Sequence, residues 1–496
     1  MNRILFGLLP SSLILGLCAC SGPPTTTPPP PGNATLSLTL RATPPLPSAH
    51  LSILTFRATV TGVSLTPSLG SAVSVNLVSG TAASYVAEFT RLQSDSALLS
   101  AAVSVPAGTY NTVAVAFSDV FLVYCTQAAS AATGCSTGVA TGSAATATAS
   151  TGAFPLTVTT GEKVGLALNL NISSAITASG QTISGINFAA PNVLTADVLQ
   201  APSSTTDLSS GQLAHIDDLY GVVSNVSASA QSFTLQTAYR GTVSIAANSS
   251  TTYDPACSTQ TFSCVTSGAL AAVDAILNAD GTLAVRNYSP VPFTAASKDT
   301  IEGVVTAPPS SVNQVFDIAV TDASFASSNS KLSGSIHPGD LVIVGVVTPQ
   351  PFFIVSEGLI IPTNSFSGST DVSTIQPGQT VAISVSGFIP TDGSSAFASA
   401  TANGVALRFS RVTGTVVSPT SPQFSATSFP PYFGFTTNPL VQITSTGPGT
   451  TTDFDGTSSF TEVAGDTVSI SALYFGSPTS PSPPAWSFSA ATIRKH

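Results

Sequence analysis

A chain of 496 residues is too long for a single hydrophobic core and is expected to divide into about three or four units. Its 43% hydrophobic content is ordinary, but only 7% of residues are charged, against roughly 25% in an average soluble protein, so hydroxyl and amide groups must dominate the surface. The net charge of −10 is thinly spread with no basic cluster, which excludes nucleic acid as a partner and leaves little to steer a charged substrate.

Residues 1–19 read as a secretory signal: Arg3 supplies the positive start and "ILFGLLPSSLILGL" (4–17) the apolar core. That core is too short, and too interrupted by Pro10, for a permanent membrane helix, which needs about 20 apolar residues. It ends in "LCAC", which resembles the bacterial lipobox, with Leu17, Ala19 and Cys20 in the expected places. The resemblance implies cleavage before Cys20 and lipid on its thiol and new amine. Each buried methylene contributes about 0.8 kcal/mol, so several acyl chains together make a stable anchor. Cys18 as the modified residue would put Leu17 where a small side chain is wanted, and a lone CxC without His is weak for zinc. Residues 20–33 form the anchor and a Pro-rich stalk, "SGPPTTTPPPPGN" filling 21–33, held extended by consecutive prolines.

From residue 34 the pattern has period two. "ATLSLTL" places Leu36, Leu38 and Leu40 on one face, and "GLALNLNI" repeats this with Leu166, Leu168, Leu170 and Ile172. The best helix candidate is "SYVAEFTRLQSDSALL" (84–99). The remaining alternation predicts an antiparallel β-sandwich over 34–200. Three stretches, "FRATVTGVSLTP" (56–67), "VPAGTYNTVAVAFSDVFLV" (105–123) and "FPLTVTTGEKVGLALNLNI" (154–172), resemble domain of unknown function 4382 of bacterial lipoproteins. The resemblance implies an immunoglobulin- or transthyretin-like sandwich and transfers no catalytic residue.

A polar linker spans 201–212, and beyond it a unit of about 85–115 residues recurs three times, over 213–297, 298–410 and 411–496. Each opens with a Gly-containing apolar strand: "LYGVVSNV" (219–226), "IEGVVTA" (301–307) and "VTGTVVS" (412–418). Each later reaches an apolar strand announced by Gly: "SGALAAVDAIL" (267–277), "QPGQTVAISVSGFI" (376–389) and "VAGDTVSISALYF" (463–475). Turns follow in the first two, "NADG" (278–281) and "TDG" (391–393), and a Pro-rich loop in the third. The layout resembles domain of unknown function 5666, with the middle unit departing through an inserted segment at 334–347. The resemblance implies small barrel-like modules of OB-like architecture. The fold class expected is therefore all-β, a sandwich followed by three small β-barrels.

Four cysteines remain after the signal, as two local pairs, Cys125 with Cys135 and Cys257 with Cys264. In an exported protein these read as two disulfides, each closing a short loop worth about 2–3 kcal/mol. The histidines are scattered, and neither HExxH nor G-x-S-x-G occurs, so no cofactor, metal or catalytic residue is expected. Two acidic spots stand apart, "HIDDLYG" (215–221) and "DFDG" (453–456). The second would need a carboxylate where Ala464 stands to be an EF-hand; it reads as a plain turn or a one-off calcium site through Asp453 and Asp455. "FPPYFGF" (429–435) is core by default, or, if exposed, a stacking platform presented by Tyr432 and Phe433. The expected protein is a lipid-anchored, non-catalytic structural or binding protein of the bacterial cell envelope. Its expected partners are the membrane, through lipid, and an envelope polysaccharide or protein. The rival readings are a polysaccharide-acting enzyme or an assembly or sensing accessory. Ser21, in place of Asp, is compatible with the outer membrane.

Overall fold

The computed structural model describes residues 32–77, 85–127, 134–199, 212–293, 299–325, 330, 332–347, 350–361, 364–391, 397–433, 435, 437–444, 451–454, 460–476 and 487–496. The signal, Cys20, nearly all of the stalk and linker, most of the TDG turn and the Pro-rich loop lie outside these residues. The regular secondary structure described is almost entirely strand.

The first unit is a sandwich of two sheets. One is four-stranded, in the order Leu194–Leu199, Lys163–Asn171, Asn33–Thr43, Ala97–Pro106, and the other is nine-stranded around the long pair Ile53–Pro67 and Gly108–Cys125. The period-two leucines do what their spacing dictates: Leu36, Leu38, Leu40, Leu166, Leu168 and Leu170 are all buried in one core. Phe56 and Phe117 of the facing sheet fill it together with Phe89 and Phe188 from adjoining turns, with the Phe117 and Phe188 rings 4.6 Å apart.

Each of the three following units closes into a five-stranded barrel with one strand order, 1-2-3-5-4-1. Barrel 1 runs Gln212–Ser227, Ser232–Gln236, Thr242–Ala246, Leu270–Asn278 and Leu283–Pro290. Barrel 2 runs Thr300–Val305, Val315–Ser324, Leu341–Val346, Thr380–Ile389 and the first half of Ala398–Thr420. Barrel 3 takes the second half of that same strand, then Gln423–Thr427, Leu440–Ile443, Thr467–Tyr474 and Phe488–Lys495. In all three, strand three closes against strand five in parallel, a Greek-key closure of the OB type.

The recurring glycines explain themselves here. Gly221, Gly303 and Gly414 occupy one position on strand one, where a Cβ would run into a strand-two carbonyl: that of Gln236, of Ala319 at 2.6 Å, and of Thr427 at 3.0 Å. A second glycine, Gly268, Gly378 or Gly465, has positive φ and donates its N–H to the carbonyl of Val223, Val305 or Val416, always two residues after the first.

Three expectations are corrected. The helix candidate is strand Tyr85–Glu88, a 3-10 turn Arg91–Gln93 and the start of strand Ala97–Pro106, because Tyr85–Glu88 pairs with residues 57–60 and tertiary pairing overrides local propensity. The segment at 334–347 is no insertion: Leu341–Val346 is the third strand of barrel 2, and the extra chain flanks it. Nor do barrels 2 and 3 meet at a break near residue 410. The 23-residue strand Ala398–Thr420 passes without interruption from one to the other, Arg408 pairing with Thr380 of barrel 2 and Phe409 with Leu473 of barrel 3.

Gly303→Ala should lower the thermal midpoint, by overpacking worth about 1–3 kcal/mol, whereas Gly345→Ala, with open space for its Cβ, should change it little. Equal midpoints for the two variants would contradict the close strand approach.

Candidate functional site

Charge is scarce in this chain because much of it is spent inside. Strand one of barrel 2 carries Glu302, fully buried, and the hand-over strand carries Arg408, also fully buried. Arg408 donates from Nε to Glu302 Oε2 at 3.0 Å and from Nη1 to Glu357 Oε1 at 3.0 Å, with its guanidinium 5.1 Å from the Tyr220 ring of barrel 1. The other oxygen of Glu302 accepts from Arg91 Nη1 of the sandwich at 3.1 Å, and Arg91 also reaches Asp322 Oδ2 at 2.9 Å. Arg240 of barrel 1 pairs with the same Asp322 oxygen. Arg411, three residues after Arg408, donates to Asp95 Oδ2 at 3.0 Å. Four arginines, Arg91, Arg240, Arg408 and Arg411, thus face four carboxylates, Asp95, Glu302, Asp322 and Glu357, and all four folded units contribute.

The sandwich's contribution is the segment expected to be helical. Glu88 shapes it, accepting Phe56 N–H at 2.7 Å, Arg91 N–H at 3.0 Å and Thr90 Oγ1–H at 2.6 Å. Burial still pushes the Glu88 carboxyl above the usual range, although those bonds and Arg91 act to lower it. Arg494, on the last strand of barrel 3, donates through Nη1 to the carbonyls of Leu92 at 3.0 Å and Asp95 at 2.9 Å, and through Nη2 to Ser96 Oγ at 3.0 Å. Thr413 Oγ1 donates to Gln93 Oε1 at 2.8 Å. On the other side, Glu357 sits at φ 50°, a left-handed conformation costing on the order of 1–3 kcal/mol. Barrel 1 holds it there: Asn287 Nδ2 donates to Glu357 O at 2.8 Å and Asp254 Oδ2 accepts Gly358 N–H at 2.7 Å. Tyr85 beside the hub has its hydroxyl pushed up to about 12, by burial first.

Two cavities border this network. One of about 20 Å³ lies among Tyr85, Arg91, Arg240 and Asp322, and one of about 40 Å³ among His50, Gln93, Arg411 and Tyr432. On the usual measure of roughly 10–15 Å³ per water, they hold a few waters at most.

The two acidic spots, 238 residues apart, are brought together in strands, which corrects the reading of the first as a solvated linker end and of the second as a plain turn. His215 Nδ1 lies 2.5 Å from Asp453 Oδ2, and Arg286 Nη1 donates to that oxygen at 2.9 Å. Asp217 Oδ1 is 3.9 Å from Arg286 Nη1, and one ligand atom from each of His215, Asp217 and Asp453 lies within 4.8 Å of the others. Two register shifts lie at these groups: Asp217 and Asp218 together oppose one residue between Ile216 and Leu219, and Arg286 is the extra residue opposite Asp274–Ala275. Burial, then the charges of Asp274 and Asp453, push the Asp217 carboxyl well above its usual range. Burial opposes protonation of His215, but the charge and hydrogen bond of Asp453 outweigh it, so the imidazole is raised. Asp455 lies outside the described residues.

The other expected site residues are placed as follows. Cys125 is bonded to Cys135 and Cys257 to Cys264. The Cys135 N–H donates to Thr306 O at 2.8 Å, so the first of these loops also touches barrel 2. The platform reading is corrected: Tyr432 is 4% and Phe433 2% exposed, the two rings pack 4.5 Å apart, and Phe433 packs edge-on to Tyr474. Their sheet-facing apolar surface is worth more in the barrel 3 core than in water.

Arg408→Ala should destabilise the protein by about 3–5 kcal/mol, because it leaves Glu302 and Glu357 buried without this partner, and the loss should persist in 1 M salt. Lys495→Ala, at the exposed pair with Asp466, should cost under about 1 kcal/mol, and less in salt. Denaturant titrations at two salt concentrations decide this. Compared with known proteins, the chain matches no family model and no curated protein.

Proposed function

We propose that this is a lipid-anchored structural and binding protein of a bacterial cell envelope, without catalytic activity of its own. The observation that carries the reading is the charge hub, where sandwich and all three barrels contribute side chains to one buried network. Such a network favours a single rigid body over units moving about a cleft, and it ties its own ionisable groups into mutual pairs. The apposed carboxylates Asp217 and Asp453 are each more than nine-tenths buried at the seam of two barrels, a poor position for reaching a sugar chain.

Attachment rests on the lipobox-like residues around Cys20 and the proline stalk, which would hold the rigid body off the bilayer. A charge-poor exterior suits work at a surface where counter-ion concentrations vary, because few of its contacts are open to screening.

Membrane fractionation tests the attachment. The native protein should sediment with membranes, and Cys20→Ser should be released. A Cys20→Ser protein that stays with the membrane overturns the lipid anchor. Whole-cell proteolysis then separates a surface-facing role, in which the folded part is cut or shielded according to exposure, from a periplasmic one.

A further inference from the structure

We propose that His215, Asp217 and Asp453 form a binding site for a divalent cation of the zinc class at the seam between barrel 1 and barrel 3, with Arg286 as the competing internal cation. The donors are one imidazole and two carboxylates, a set that suits zinc and its first-row neighbours rather than calcium, which takes oxygen alone.

One observation independent of the clustering points to a ligand. Asp217 Oδ1 is buried and has no hydrogen-bond partner, in a residue only 7% exposed, with Arg286 Nη1 standing off at 3.9 Å. A buried carboxylate oxygen left this way is costly, and a metal ion would remove that cost.

The geometry asks for a defined rearrangement. Tetrahedral ligand bonds of about 2.1 Å place two donors about 3.4 Å apart. The present 4.8 Å limit therefore requires closing by up to about 1.4 Å, and the 2.5 Å contact of His215 Nδ1 with Asp453 Oδ2 must open. Arg286 is the most exposed member, with 23% of its side chain accessible, so it can swing outward and open the entry path. Metal binding would then cross-link Gln212–Ser227 of barrel 1 to Asp453–Phe454 of barrel 3, two elements far apart in the chain.

The test is calorimetric titration of chelator-treated, full-length, disulfide-intact protein with zinc chloride at pH 7, and with calcium chloride alongside. One equivalent of zinc should bind, raising the melting temperature as concentration rises, with calcium at least tenfold weaker. Asp217→Asn, which removes a carboxylate that burial already opposes, should fold and lose at least tenfold in zinc affinity. Arg286→Gln should bind zinc more tightly than the native protein. Should Asp217→Asn not fold, as judged by circular dichroism, His215→Gln provides the same test. The proposal is overturned by no stoichiometric zinc binding, by binding that survives these ligand changes, or by calcium binding better than zinc.

Discussion

The pair of Arg408 with Glu302 is the constraint around which the molecule is arranged. Neither side chain touches water, so removing one would leave the other short of a partner in a medium of low dielectric. Both have a second partner, and through those partners the sandwich and barrel 1 are drawn in. Apolar contacts could hold four units together with some latitude. A network of directed, charge-assisted hydrogen bonds tolerates far less, since each guanidinium must meet its carboxylate in one orientation. Arg408 also lies where the backbone leaves one barrel for the next, so the covalent and electrostatic joints coincide.

This explains the composition. A low proportion of charged residues usually suggests weak solubility or a passive surface. Here a large share of the arginines serve as internal fasteners, while serine and threonine hydrate the exterior. The two disulfides act differently, since each closes a local loop, with separations of 10 and 7 residues, and neither links one unit to another. No disulfide therefore cross-links two units, although the Cys135 loop touches barrel 2.

Much of the fold could be read from the chain. Alternating leucines disclose the sandwich core, and the repeated glycines disclose the barrels, because a position where backbone meets backbone admits only one residue type and so leaves a mark in every copy. Residues 84–99 mislead for a physical reason. Val86, Phe89 and Leu92 recur at three-residue spacing, as on a helix face, but pairing with residues 57–60 of the same sandwich and a bond to Tyr239 of barrel 1 determine what the segment becomes. The site is almost wholly illegible in the chain. Arg408 in "VALRFSRV" is visible as a cation inside an apolar strand, a signal that it is buried and paired. Its partners lie 106 and 51 residues away, and His215 lies 238 from Asp453, distances over which one sequence carries no trace of contact. The aromatic run at 429–435 shows the opposite error, in which conspicuous residues are simply core.

The uninterrupted strand Ala398–Thr420 bears on how such a protein can be inherited or rebuilt. Repeated modules are usually traded like beads, cut at one linker and joined at another. Barrels 2 and 3 take successive halves of one strand, so no linker stands between them at which a module could be cut and rejoined. A transplant would have to cut inside a hydrogen-bonded strand, between Arg408 and Phe409.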